Sequence, residues 1–320
     1  MTDFLNYSQL PFIMFCILAI QAMSLQVVLG GTGLLSLGHA AFYTVGGYTS
    51  AIFTVFLAPK LGIENQTLLL LLACCVGMIS ASLAGLVVAI PCLKLRGDYL
   101  AMATLGVGEI VGTVFKNLDF VGGTRGFKDI PKLGSPLLIF LVMIAIAFFM
   151  VRFYKTNIGY AVRATRDDEI SAQSLGINIY KTKLFSFFMG TSIAGLAGVF
   201  YAHTLQFISP DESGFYNSVV LVLAVVIGGM YSVFGSIFGA FIIVVVPELL
   251  RFIPSFVNPY LTKLADYGII SKSFIPIFDS IFSNRTLVFS VLVIIIMLLN
   301  PKGVASLFER FQNRMRKTHE

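Results

Sequence analysis

The 320-residue chain is short of charge, with 12% of its residues Asp, Glu, Lys or Arg against about a quarter in a soluble domain. Histidine is scarcer still. With His39, His203 and His319 as the full set, no sustained His/Asp/Ser or His/Glu constellation exists of the kind that nucleophilic or metal catalysis requires. Cys16, Cys74, Cys75 and Cys92 lie in or beside apolar blocks without metal-like spacing, and read as small buried side chains rather than a disulfide or zinc set. No GxxxxGK[ST] sequence occurs, which excludes ATP hydrolysis by a P-loop. "GVGEIVG" at 106–112 misses the GxGxxG spacing by one residue and sits inside an apolar span, as glycines of a membrane helix do. The basic residues are not spread among aromatics over a surface, so no nucleic-acid partner is expected.

What is present is apolar. The chain is 57% hydrophobic before its 29 glycines are counted, and its mean hydropathy is +0.89. Crossing a bilayer takes about 20 apolar residues per helix. Blocks of that kind recur along the whole length, near 11–29, 34–58, 67–91, 99–116, 136–154, 183–207, 215–229, 233–250 and 286–300. The expectation is an all-α polytopic membrane protein of about 8–10 transmembrane helices, forming one domain over 1–320. The first block follows Met1–Leu10 without a basic n-region or a small-residue cleavage site, and reads as a retained span.

The net charge of +6 is placed by topology: Lys and Arg concentrate in the 152–183 loop and in the tail from Lys302 to Lys317. Cytoplasmic loops are enriched in these residues, so the loop (about 155–183) and the tail (about 301–320) are both expected in the cytoplasm. Four spans separate them, and the even number agrees. Segment 251–285, with Pro254, Pro259 and Pro276, then falls outside as an interfacial connection carrying one short helix.

Two spans are interrupted by glycine, "GGTGLLSLGHAAFYTVGGYTS" at 30–50 and "GGMYSVFGSIFGA" at 228–240. Each starts Gly-Gly and continues to a serine (Ser36, Ser232) and a further glycine (Gly38, Gly235), a weak mark of internal duplication. Interrupted spans at matching places in two halves point to a translocation pathway; close helix packing is the plainer account. The pathway candidates are Gly31, Ser36, His39, Glu109, Gly228 and Gly229. Glu109 is the one convincing acid within a span, where charge is costly and usually functional, unless it is a helix-end residue reaching for the interface.

The hydrophilic stretch "NIGYAVRATRDDEISAQSLGINIYKTK" (157–183) remains. Thr165 followed by Asp168 reads as a capping box, with Asp167, Asp168 and Glu169 in a first turn that favours anions. Gly176 ends a helix of about ten residues, roughly 15 Å long. Glu169, Ala172 and Gly176 share one face, a stripe of little bulk that a partner could approach; a merely solvated loop helix is the bland alternative.

"RDDEISAQSLGIN" resembles the EAA-type loop of ABC importer permeases, a short cytoplasmic helix that docks into the ATPase subunit. In order along the chain, "SLGHAAFYTVGGYTSA", "LRGDYLAMATLGVGEI", "VGGTRGF", "AGLAGVFYAHTLQFISPDESGF", "VIGGMYSVFGSIFGA" and "NPKGV" are similar to the LivM-type permease of branched-chain amino acid ABC importers. The resemblance covers nearly the whole chain. It implies a bacterial cytoplasmic (inner) membrane protein working with a LivH-like second permease, two ATPase subunits and an extracytoplasmic binding protein. ATP and Mg would sit on the ATPases, with no cofactor on this chain. It gives Arg163, Asp167, Asp168, Glu169, Ala172 and Gly176 the coupling role. Tyr231 stands where the family usually has a small Gly, and Arg125 where it more often has an uncharged or acidic residue. Arg125 is thus a candidate outer-face contact for the cargo carboxylate or the binding protein, or simply a solvated loop residue. Urea, short amides or other amino acids are alternative cargoes of the same machine. An ion-coupled carrier or channel is a more distant alternative, and a membrane enzyme built on Ser36 and His39, three apart, a third.

Overall fold

The structure is a computed structural model and describes residues 2–95, 97–266, 284–299 and 303. Among these the chain is helical: α1 (Thr2–Thr32), α2 (His39–Ile52, continued by a π turn, Phe53–Leu57), α3 (Gln66–Cys92), α4 (Asp98–Lys116), α5 (Pro136–Phe153), α6 (Asn157–Asp167), α7 (Glu169–Ser174), α8 (Ile179–Leu205), α9 (Phe215–Gly228), α10 (Val233–Asp266) and α11 (Arg285–Leu299). Seven helices are long and apolar enough to span a membrane, and Phe215–Gly228 and Leu287–Leu299 are shorter apolar helices. These match the nine blocks read from hydropathy.

Two boundaries differ from expectation. The second block was expected to be helical from about 34, yet the backbone is irregular over 33–38 and helix resumes at His39. The tenth helix does not stop near 250 but continues to Asp266, so the first part of the supposed interfacial connection extends a span. The remainder, 267–283, lies outside the described residues, as do 304–320 of the tail.

The centre of the bundle is α1, α2 and α8, whose span windows are about 70% buried, whereas α3, α4 and α5 are about one-third buried and line the outside. Without a hydrophobic driving force between helices in lipid, association rests on close packing of small residues. Here α2, α3 and α8 meet through glycine. A Cβ on Gly195 would lie 2.5 Å from the carbonyl oxygen of Gly77, one on Gly46 2.4 Å from the Cα of Gly195, and one on Gly198 2.0 Å from the carbonyl oxygen of Tyr43. No side chain fits at such separations.

At the end opposite the 155–183 loop, two connections are sewn together. Phe127 and Ile208 exchange backbone hydrogen bonds of 2.9 and 3.1 Å. The Tyr48 ring stacks on Phe115 at 4.0 Å, and its hydroxyl donates to the Ile208 carbonyl.

Gly198→Val should therefore force α2 and α8 apart and cost about 1–3 kcal/mol or more. Gly106→Ala, with open space around its Cβ, should change stability by no more than about 1 kcal/mol and in the favourable direction. Thermal unfolding of the two detergent-solubilised variants checks this contrast; equal behaviour would mean that the glycine contacts do not hold the bundle.

Candidate functional site: two helix breaks and a loop hairpin

The two glycine-interrupted stretches come together. The first helix ends at Thr32, and Gly33 turns the backbone with φ +74°; α9 ends at Gly228, and Gly229 turns it with φ +115°. Positive φ is the conformation glycine supplies cheaply. A Cβ on Gly30 would lie 1.9 Å from the Met230 carbonyl oxygen, and Gln26 Nε2 donates to that oxygen at 3.4 Å. Gly303 returns to the same place, its Cβ position 2.5 Å from the Cα of Gly229. Gly228, tight against Gly235, and Gly31, beneath Val162 and Tyr154, are likewise buried at the contact.

Above the first break the chain is polar and closed. Leu37 N–H donates to Thr104 Oγ1 at 3.0 Å, and Gly38 lies against the Thr104 carbonyl. His39 is 1% exposed, with Nε2 3.0 Å from Ser24 Oγ. The one Ser24 proton goes to the Gln21 carbonyl at 2.6 Å, so the imidazole contact uses Nε2–H and leaves Nδ1 an acceptor. That Nδ1 and the buried Ser36 hydroxyl have no hydrogen-bond partner, and the N-terminus of α2 has no side-chain cap. Buried polar groups are normally satisfied, so this is where a polar guest would find partners. Ser36 and His39 do not pair with each other; Ser24 is the partner of His39. His203, by contrast, is satisfied by Thr54 and the Val199 carbonyl.

From the other end, the 206–214 connection reaches the same glycine face of α4. A Cβ on Gly108 would lie 2.9 Å from Ser213 O and 3.7 Å from the Cα of Gly38, so both irregular segments converge on this residue. The connection carries Glu212, which accepts from the Tyr201 hydroxyl (2.7 Å) and from Asn217 Nδ2 (3.0 Å). Burial raises its pKa, as does Asp211, against the lowering effect of the Tyr201 hydrogen bond. Asp211 pairs with Lys116 at 2.7 Å. Glu212 was not legible as a site residue, because Pro210 announces only a turn. Glu109 is exposed and does not join Ser36 and His39. Arg125 is exposed in a 3-10 turn of the 117–135 connection.

The polar loop is a hairpin of two helices, not one helix capped by Thr165. Thr165 is buried inside α6, its hydroxyl donating to the Ala161 carbonyl. The cap is Asp168, whose carboxylate accepts from Ile170 N–H (2.8 Å) and Ser171 N–H (3.0 Å). Those bonds, with that from the Ser171 hydroxyl, hold its carboxyl below its ordinary pKa. Gly176 ends α7 with φ +83° as expected. Of the stripe only Ala172 is buried, at 2% exposed; Glu169 is exposed but pairs with Lys183 of α8, and Gly176, past the end of α7, lies in open space. The outward side chains are Ile170 (79% exposed) and Leu175 (80%). A cavity of about 1160 Å³ separates α7 from the first break, lined by Gly33, Leu34, Lys94, Asp98, Glu169 and Lys183 among others.

Arg163 and Asp167 belong to α6. Arg163 Nη2 donates to the Tyr154 carbonyl at 2.8 Å and its guanidinium lies 4.9 Å from the Tyr160 ring centre; Asp167 pairs with Arg166. Arg166, absent from the expected set, is the link between hairpin and breaks. Its Nη1 donates to Gly30 O at 2.9 Å, and its guanidinium stacks 4.6 Å from the centre of the Tyr231 ring. One side chain thus holds the end of α1 and the α9–α10 break.

Spans broken at two facing sites, with a loop hairpin fastened to both, make this an α-helical polytopic membrane protein with interrupted spans. The chain belongs to the family described as branched-chain amino acid transport system / permease component, whose model matches residues 11–299. It is 34% identical over 267 residues to the high-affinity branched-chain amino acid transport system permease protein LivM of Escherichia coli, covering 72% of this chain and 61% of that protein. It is 30% identical to the probable branched-chain amino acid transport permease protein LivH of Methanocaldococcus jannaschii (48% and 50% covered), and 26% identical to the guanosine ABC transporter permease protein NupQ of Bacillus subtilis (64% and 70%). The aligned region therefore spans about three-fifths of LivM. No solved structure gives a significant match.

Asp168→Ala should uncap α7 and speed amide hydrogen exchange at Ile170 and Ser171 while leaving α8 unchanged. In the native chain the protection of the same amides, measured against the intrinsic exchange rate at each pH, should fall as pH drops through the lowered Asp168 pKa, because the ionised carboxylate is the stronger acceptor. Exchange at these amides that ignores both the mutation and acid would contradict the capping role.

Proposed function

We propose that this chain is the transmembrane permease subunit of an ATP-driven importer of branched-chain amino acids. It would sit in the bacterial cytoplasmic membrane with the 155–183 hairpin and the C-terminus in the cytoplasm. Its partners would be a LivH-like second permease, two ABC ATPases that carry ATP and Mg, and an extracytoplasmic binding protein. Family membership supports the class. The observation that carries the mechanism is Arg166, which ties α6 to Gly30 and to Tyr231.

The contacts support a lever. An ATPase that grips the exposed Ile170 and Leu175 moves α7; the Glu169–Lys183 ion pair passes the motion to α8, and α6 passes it through Arg166 to both breaks. Interfaces of this kind shift between discrete packings rather than deforming smoothly. Glu169 is then a tether within the chain, and the docking surface is the apolar outer face of α7. On the pathway, His39 Nδ1 and Ser36 Oγ offer hydrogen bonds to the polar end of an amino acid, and the α2 N-terminus favours a carboxylate. The NupQ relative makes a nucleoside the competing cargo class.

The test is the importer reconstituted in proteoliposomes from this chain, the second permease and the two ATPases, with the binding protein added. Leucine, isoleucine or valine with the binding protein should stimulate ATP hydrolysis, and guanosine and urea should not. Ile170→Asp should abolish the stimulation with insertion and folding intact, since Ile170 touches little of its own chain. Arg166→Gln should leave the ATPases bound but cut uptake per ATP by about tenfold, the cost of losing a charged hydrogen bond of about 1.5 kcal/mol. Normal coupling in Ile170→Asp would sink the docking surface, and stimulation by guanosine alone would reassign the cargo.

A further inference from the structure

A second cavity, of about 400 Å³, opens between the ends of α5 and α6 and the start of α10, over α1. Its polar wall is Lys155, Arg163, Arg166 and Ser232, and no acidic residue lines it. Arg166 is paired with Asp167, whereas Lys155 and Arg163 have no ion pair among the described residues. Arg163 also keeps a buried Nε–H without an acceptor. Ser232 Oγ accepts from Gly235 N–H, so the N-terminus of α10 starts here, with the partial positive charge of a helix start.

The other wall is apolar and leads away into the membrane. Phe234 lines the cavity and is 67% exposed; Phe238 (43%) and Phe241 (40%) follow at i+4 and i+7 on the same face of α10. This stripe runs along the span Val233–Arg251. A cationic pocket at the mouth of an exposed aromatic stripe has the two-part chemistry of a phospholipid, a phosphate above acyl chains. A free phosphate would use only the pocket. A zwitterionic headgroup would bring its ammonium to a wall that has no carboxylate.

We propose that this cavity binds the headgroup phosphate of an anionic phospholipid, with acyl chains lying on Phe234, Phe238 and Phe241. The site shares Arg166 with the link between hairpin and breaks, so an occupied pocket braces that link and the lipid composition of the inner leaflet tunes how firmly the hairpin holds the breaks. The inference needs neither the cargo nor the partners.

The test uses the full-length chain in non-ionic detergent, titrated with phosphatidylglycerol, phosphatidylcholine or inorganic phosphate and read by native mass spectrometry and thermal unfolding. Phosphatidylglycerol should bind preferentially and raise the unfolding temperature; inorganic phosphate at millimolar concentration should not displace it. Lys155→Gln and Arg163→Gln should each weaken phosphatidylglycerol binding by about fivefold while leaving phosphatidylcholine binding as it was. Phe234→Gln, at an exposed position that the fold does not depend on, should weaken both lipids. Equal binding of the two lipids to the native chain overturns the proposal, as does displacement by inorganic phosphate, which would mark a free-anion site. In native membranes, crosslinking of Phe234→Cys to another subunit instead of to lipid would make this face a protein interface and overturn it as well.

Discussion

A backbone that leaves helical geometry inside a membrane must have its freed N–H and C=O groups satisfied by protein, at a cost of several kcal/mol for each group left bare. The structure depends on meeting that constraint at two breaks, 33–38 and 229–232. The satisfying groups are side chains from elsewhere. Thr104 of α4 accepts from Leu37 N–H, Gln26 of α1 donates to the Met230 carbonyl, and Arg166 of α6 donates to the Gly30 carbonyl. Each break is therefore completed by a neighbour, and moving the neighbour alters the break. A continuous helix would satisfy itself and transmit nothing.

The choice of Arg166 is physical as well as positional. The Gly30 carbonyl lies in the last turn of α1, where helix dipoles sum to partial negative charge and a cation is favoured. The same guanidinium lies over the Tyr231 ring, an arrangement that gains from the ring quadrupole and tolerates sliding better than a hydrogen bond does. One cation thus grips the first break directionally and the second loosely. Tyr231, bulky within a glycine-rich break, does not loosen the packing beneath it: Gly228 still approaches the Gly235 carbonyl so closely that a Cβ would lie 1.9 Å away. The tyrosine instead points outward, 66% exposed, into the path of Arg166.

Span positions and the glycine interruptions were legible in the sequence because both are local signals: hydropathy over about 20 residues, and glycine density. Their similarity suggested only a duplication; that the two breaks meet is a contact of the folded chain. What was not legible lies in contacts between residues distant in sequence. Arg166 reaches Gly30 across a separation of 136 residues, and nothing in "RATRDDE" distinguishes it from Arg163. The capping error has a local cause. Thr165 and Asp168 both fit an N-cap pattern, and the winner was the residue whose φ of −159° lies in the extended region that a cap requires. The Glu169, Ala172, Gly176 stripe assumed one helix through Gly176, but α7 ends at Ser174 and the three differ in exposure, Ala172 buried and the other two exposed. Nor did the sequence single out Lys183, the lysine that pairs with Glu169.

The two breaks are not equivalent in how their polar groups are satisfied. In the second, Ser232 caps α10 by accepting from Gly235 N–H, and its matching glycines pack against one another. In the first, the matching Ser36 caps nothing: its hydroxyl is buried and unpartnered, the cap position of α2 is Gly38, and His39 leaves Nδ1 open. A buried polar atom without a partner costs about 1–3 kcal/mol, and the chain retains two within four residues. Structural needs alone would have been met by the arrangement used in the second break. The asymmetry leaves 229–232 packed and satisfied and 33–39 with open hydrogen-bonding groups, and the bare Gly108 lets the outer connection approach the first break.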